Sequence, residues 1–193
     1  MEEKMLNEKE SLELISQMIL NTRKKMEEGN GMPFLIWGYA TFIVSLVVYY
    51  FLSTTGDYHY NLIWFTIPVL GCGGMYFSKR KEKKHSKTYI DRIIVNIWTV
   101  IGIAGLLVSC TAFFVRIPVL PIEILLMGIG TALTGLVIRF KPIIISGFVG
   151  MISCALPFII KGYGQIIVFG IVFLIMMVIP GHILNYKGRK KHV

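Results

Sequence analysis

The stretch Val119-Leu-Pro-Ile-Glu-Ile-Leu-Leu-Met-Gly-Ile-Gly-Thr-Ala-Leu-Thr-Gly-Leu-Val-Ile138 runs for twenty residues with a single charge, Glu123. A helix of about 20 apolar residues crosses the ~30 Å hydrocarbon core of a bilayer. On a 100° wheel, Gly128, Gly130, Thr131, Ala132, Thr134 and Gly135 share one half with Met127. Leu125, Leu126, Ile129, Leu133, Leu136 and Val137 fill the other. Helices pack in lipid through small residues that let backbones approach. This segment therefore predicts a membrane span with one face on protein and the other on lipid.

Five more runs of similar character flank it. The expected spans are 34–52, 61–78, 93–115, 119–138, 143–160 and 164–184. Each has the length of a membrane helix. The alternating ten-residue pattern of a membrane barrel is absent. Hydrophobic residues make up 54% of the chain, and their concentration in these runs sets the class. The fold expected is an all-α integral membrane protein, a six-transmembrane-helix bundle with an N-terminal cytoplasmic amphipathic helix. Residues 1–33 form that helix and its linker, 34–186 the membrane domain, and 187–193 a basic cytoplasmic tail. The charged first 33 residues do not resemble a cleavable leader, so the first span is expected to stay as an anchor.

Basic residues set the threading. Of 20 Lys and Arg in all, the N-terminal arm carries five, the segment from Lys79 to Arg92 seven, the Arg139–Lys141 turn two and the tail four. The opposite loops carry Arg116 and Lys161. The positive-inside rule places both termini in the cytoplasm of a bacterial inner membrane. The net charge of +9 is then a matter of topology. With no folded soluble face to carry a basic patch, direct nucleic-acid binding is not expected.

The arm is patterned. Leu12, Ile15, Ile19 and Met26 fall on one helical stripe, a candidate docking face for a cytoplasmic protein or a second copy. The same stripe could instead lie on the inner leaflet. Lys79, Arg80, Lys81, Lys83 and Lys84 are candidate contacts for lipid headgroups, beside their role in fixing topology.

Acids within membrane helices are costly and frequently functional. Glu123 is the leading candidate, followed by Thr131 and Thr134 on the same half of the helix and His182 after Pro180-Gly181. Glu123 lies about five residues, or roughly 7 Å, inside the outer end of its span. An ion pair with Arg116, or a carboxylate reaching the interface, accounts for it as well as a proton or cation site does. Asn96 is a candidate interhelical hydrogen-bonding residue. Pro68, Pro157 and Pro180 are expected to kink or loosen their spans. Cys72, Cys110 and Cys154 have no metal-ligand spacing and read as packing residues. Asp57 and His59 in the first outer loop are too few to define a metal site, and no metal or cofactor is expected. The chain lacks H-E-x-x-H and P-loop motifs, and span four reads Gly130-Thr-Ala-Leu133 where a membrane serine protease would carry its nucleophile. No catalytic residue is assigned.

Four stretches carry a family likeness: GNGMPFLIWGY (29–39), TYIDRI (88–93), GIGTALTGLVIRFKP (128–142) and IPGHILN (179–185). They resemble a group of uncharacterised six-span inner-membrane proteins of Bacteroidota-type bacteria, over nearly the whole chain. Members of that group are often encoded beside a small winged-helix transcription regulator. The resemblance implies a six-span fold and motivates a regulatory role, and it transfers no activity and no site residue. The leading functional expectation is a non-enzymatic regulatory or sensory membrane protein acting through a cytoplasmic partner. The alternatives are a small-solute or ion transporter or channel, and the substrate-binding subunit of a vitamin importer.

Overall fold

The computed structural model describes residues 31–81 and 89–190, together with positions 12–13 and 16–17, which are helical. Every regular element among them is helical. Helix α1 (Met32–Thr55) opens with a proline in its first turn, where the missing N–H costs no hydrogen bond. It closes on Gly56 at φ +69°, whose N–H reaches back to the Leu52 carbonyl. A 3-10 segment, Tyr58–Phe65, leads into α2 (Thr66–Lys81). Then follow α3 (Tyr89–Thr111), α4 (Val119–Ile138), α5 (Lys141–Ser153), the short α6 (Leu156–Ile159) and α7 (Gly164–Phe173). A π-helical segment, Leu174–Val178, joins α7 to α8 (Ile179–Lys190).

Among the described residues, five helical stretches are long and apolar enough to cross a membrane: α1, α3, α4, Lys141–Ile159 and Gly164–Lys187. The expected second span, 61–78, differs from the other five. Its first residues are wound as 3-10 helix, and the α-helical part that follows, α2, runs past the expected end of the span to Lys81 and still has only 16 residues. At 1.5 Å per residue that part is about 24 Å long, short of the ~30 Å core.

Each of the three intraspan prolines sits at a discontinuity. Pro68 falls in the first turn of α2, just past the change from 3-10 to α winding. Pro157 falls in the first turn of α6, after α5 has ended at Ser153, the residue whose carbonyl its ring would otherwise strike. Pro180 follows the π-helical segment. There the wider turn moves the Met176 carbonyl away from the proline ring.

Helices α1, α4, α5, α7 and α8 share the core, with Phe34, Ile124, Ile143, Phe173, Met176 and Leu184 at its centre. A second cluster of Val44, Val48, Leu52 and Ile166 ties α1 to α7. The closest packing is between α4 and α5, which form a hairpin through Arg139-Phe140. A Cβ on Gly147 would strike the backbone N and Cα of Ala132. One on Gly128 would lie 2.7 Å from the Met151 N, and one on Gly135 would lie 2.6 Å from the Ile144 N. These are backbone-to-backbone contacts, so no side chain can swing aside to relieve them. Arg139, at φ +54°, turns the hairpin and donates its N–H to the Gly135 and Leu136 carbonyls.

Helices α2 and α3 flank this core, with Ile94 and Trp98 of α3 packed against it. Helix α2 packs on α1 and on the 3-10 segment, and α3 packs on α4. The apolar side chains Val69, Leu70, Tyr76 and Phe77 on α2, and Val95, Val100, Ile103, Leu106 and Leu107 on α3, are exposed. In a bilayer such surfaces face lipid at no hydrophobic cost.

Candidate functional site

Helix α4 organises the polar groups of the bundle, largely on the side its sequence indicates. Gly128, Gly130, Thr131, Ala132, Thr134 and Gly135 are buried, while Leu125, Leu133 and Leu136 are exposed. One part of the buried side faces α5 through the glycine contacts above. Another part faces α3. The Trp98 indole N–H donates to Thr134 Oγ1 at 3.1 Å, and that hydroxyl donates in turn to the Gly130 carbonyl at 2.7 Å. The Trp98 ring lies over Gly130 and meets Phe34 edge-on, with centroids 6.2 Å apart. Thr131 is fully buried, and its Oγ1 has no hydrogen-bond partner among the described residues. The structure thus separates two threonines that look alike in sequence. Thr134 is a satisfied structural link between helices, and Thr131 is a buried hydroxyl facing the interior.

Glu123 is half-buried between α4 and α3. Its carboxylate covers Gly105, where an added Cβ would lie 2.8 Å from Oε2. Ser109, one turn farther along α3, donates its hydroxyl to Oε1 at 3.3 Å. Arg116, the partner considered from sequence, is exposed, and among the described residues Glu123 makes no ion pair. The reason is geometric. Gly105 and Ser109 are four residues apart on one face of α3 and leave a notch of carboxylate size. Sequence reasoning missed both residues. The available signal was their small size and i, i+4 spacing within an otherwise bulky span.

A second constellation forms at the other end of the bundle, where α1 begins and α8 runs past it. Gly31 donates its N–H to Asn185 Oδ1 at 3.1 Å. A Cβ on Gly31 would strike the Gly181 carbonyl and lie 2.7 Å from Asn185 Oδ1. The Tyr39 hydroxyl and His182 Nε2 are 2.9 Å apart, with the rings edge to face. The start of α1 and the start of α8, far apart in sequence, therefore meet in space. His182 is exposed and contacts α1 through Tyr39.

The pair Asp57 and His59 has a structural role. The Asp57 carboxylate accepts the His59 backbone N–H at 3.0 Å and approaches His59 Nδ1 at 2.7 Å, capping the 3-10 segment. The backbone hydrogen bond, then the side-chain one, hold the Asp57 carboxyl below the ordinary carboxylate range. The cap is therefore fully formed at neutral pH and is lost as pH falls through that depressed value. Among the described residues, no group of three or more His, Cys, Asp or Glu side chains could hold a metal ion.

Of the candidate docking residues, Leu12 is helical and exposed, while Ile15, Ile19 and Met26 lie outside the described residues. Of the candidate headgroup contacts, Lys79, Arg80 and Lys81 form the end of α2 with Arg80 exposed, and Lys83 and Lys84 lie outside the described residues. Asn96 is exposed on α3, and no hydrogen bond within the described residues satisfies it. Compared with protein-family models, curated proteins and solved structures, the chain matches none. The chain is a polytopic helical membrane protein.

Proposed function

We propose that the chain is a six-span protein of a bacterial inner membrane with both termini in the cytoplasm. In this reading it is a non-enzymatic regulator or sensor that signals through a partner docked on its N-terminal helix. The sixth crossing is α2 together with its 3-10 lead-in. The five 3-10 residues from 61 to 65, at about 2.0 Å each, add roughly 10 Å to the helix, enough to complete a span. The distribution of Lys and Arg supports the orientation. Placement among the Bacteroidota-type six-span group is part of the same reading.

The observation that carries the regulatory role is the junction at Gly31. There the chain leaving the arm is clamped to α8 by the Asn185 hydrogen bond and by the close approach to Gly181. Helix α8 continues directly from the π-helical segment, whose Met176 and Met177 are buried in the core. A shift of the last span would therefore move the root of the arm. Leu12, on the apolar stripe, is 67% exposed, as a docking face requires. Deleting residues 1–28 should remove any cytoplasmic protein that co-purifies with the full-length chain, while membrane insertion stays intact. Unchanged co-purification after the deletion contradicts the reading.

A second reading, transport, is favoured by one observation: the Glu123 carboxylate seated against Gly105 and Ser109 within the span region. An acid in such a place can carry a proton or cation. If the protein transports, Glu123→Gln should abolish proton- or cation-driven flux in proteoliposomes and leave the fold intact, since an amide still accepts the Ser109 hydrogen bond. Flux unchanged in that variant removes Glu123 from any transport mechanism.

A further inference from the structure

We propose that the π-helical turn Leu174–Val178 is a register switch. Wound as π, it locks α8 onto α1; wound as α, it turns α8 away and frees the root of the arm. The proposal deepens the regulatory reading by naming its moving part, and it rests on that reading for its purpose.

A π turn carries one residue more than an α turn, is rare, and is frequent at functional sites. Here the Ile179 N–H reaches five residues back to the Leu174 carbonyl. Pro180 follows at once. In an unbroken α-helix its ring would strike the carbonyl four residues back, that of Met176, and it has no N–H to give. The proline therefore favours the wider winding. The neighbouring helices make room for it. A Cβ on Gly38 of α1 would lie 2.6 Å from Val178 Cγ2 and 3.1 Å from Met177 Cβ. A Cβ on Gly150 of α5 would strike Met176 Sδ. Two helices thus give the turn space that any larger residue would take away.

Helix α8 starts where the turn ends, so the turn sets its rotation. Taking the extra residue up into α winding would rotate α8 by roughly 100° and shift it about 1.5 Å along its axis, the increments of one residue. In the π register three contacts hold α8 to α1. Asn185 Oδ1 accepts the Gly31 N–H at 3.1 Å, and His182 Nε2 lies 2.9 Å from the Tyr39 hydroxyl. Gly181 lies so close that its Cβ would be 3.1 Å from Phe34 Cβ. A rotation of that size carries all three off α1. The core around the turn can follow, because Met176 and Met177 are buried there and methionine refills altered space through its rotatable bonds. Coupling between a packed core and a distant terminus needs an element with two discrete arrangements, and a turn with a π and an α register is such an element.

The test is crosslinking of the full-length protein carrying Tyr39→Cys and His182→Cys, with Cys72, Cys110 and Cys154 replaced by alanine. Both positions are exposed, and a short bis-maleimide should join them in high yield in the π register. Pro180→Ala should lower that yield about tenfold or more, since the bar a proline sets against α winding is large. Deleting Ile175 from the Pro180→Ala chain takes away the extra residue, so that the segment winds as α with α8 in its original phase, and should restore the yield. Ile175 is 43% exposed, so its side chain is no part of the core. Pro180→Val repeats the first step with a larger side chain should the alanine variant fail to fold. A yield unchanged by the Pro180 substitutions overturns the proposal, as does a fall that deletion of Ile175 fails to reverse. The crosslink needs no partner protein, so it reads the register alone, whereas co-purification after deletion of residues 1–28 reads the partner.

Discussion

Gly147→Leu is expected to destroy the α4–α5 hairpin and with it the folded bundle. A Cβ at this position already meets the Ala132 backbone N and Cα, and backbone cannot rotate away as a side chain can. Overpacking of a tight core costs about 1–3 kcal/mol. A full leucine against backbone should reach or pass the upper end of that range. The same two helices meet at Gly128 on Met151 and at Gly135 on Ile144, so prying one contact apart loosens the others. Thermal unfolding in detergent, followed by size-exclusion chromatography, should show a large fall in midpoint or aggregation of the variant. Gly73→Leu is the matched control. A Cβ on Gly73 has nothing within 4 Å, so this substitution should change stability by no more than about 0.5 kcal/mol. Equal behaviour of the two variants would refute the hairpin as the keystone of the fold.

Gly31→Leu has the second largest expected effect, and it is local. The added side chain would collide with the Gly181 carbonyl and with Asn185 Oδ1. The Gly31 N–H would lose its acceptor as the chain is pushed off α8. A buried donor left unpaired costs about 1–3 kcal/mol. Asn185→Ala removes the acceptor without the collision and should give a smaller loss by the same route. Because the close backbone contacts of α4 with α5 lie at Gly128, Gly135 and Gly147 and not at this junction, both variants should still insert and purify. What should change is the root of the arm, read as faster amide exchange over residues 31–36. Protection at those amides equal to wild type in Gly31→Leu would show that the junction does not hold α1 to α8.

The membrane class was legible because it rests on one-dimensional information. Run length, and the small-versus-bulky division of α4, follow from residue type and the 100° rotation per residue. Burial of Gly128, Thr131, Thr134 and Gly135, with exposure of Leu125, Leu133 and Leu136, matches that division closely. The three prolines were legible for the same reason, since their effect falls on their own helix. Partner choice was not legible. Which atoms Glu123 meets depends on how α3 rotates against α4. That rotation is set by Trp98 over Gly130 and Thr134, not by the sequence around the acid. Arg116 is closer in sequence, but Gly105 and Ser109 are the residues that leave space for a carboxylate. The meeting of Gly31 with Asn185 joins residues 154 positions apart, and neither residue's neighbours announce the other. The winding of Tyr58–Phe65 as 3-10 rather than α helix was also out of reach. Its aromatic and apolar residues fit either winding, and the cap from Asp57 fixes the start.

The account stands on the chain crossing the membrane at α2. The direct measurement is single-cysteine labelling on either side of that helix, with Cys72, Cys110 and Cys154 replaced by alanine. Thr55→Cys and Ser86→Cys would each be treated with a membrane-impermeant maleimide, in intact spheroplasts and after permeabilisation. The account predicts that position 55 labels in intact spheroplasts and position 86 labels after permeabilisation alone. Labelling of both positions from the same side would leave five crossings, place the two termini on opposite faces, and contradict the account.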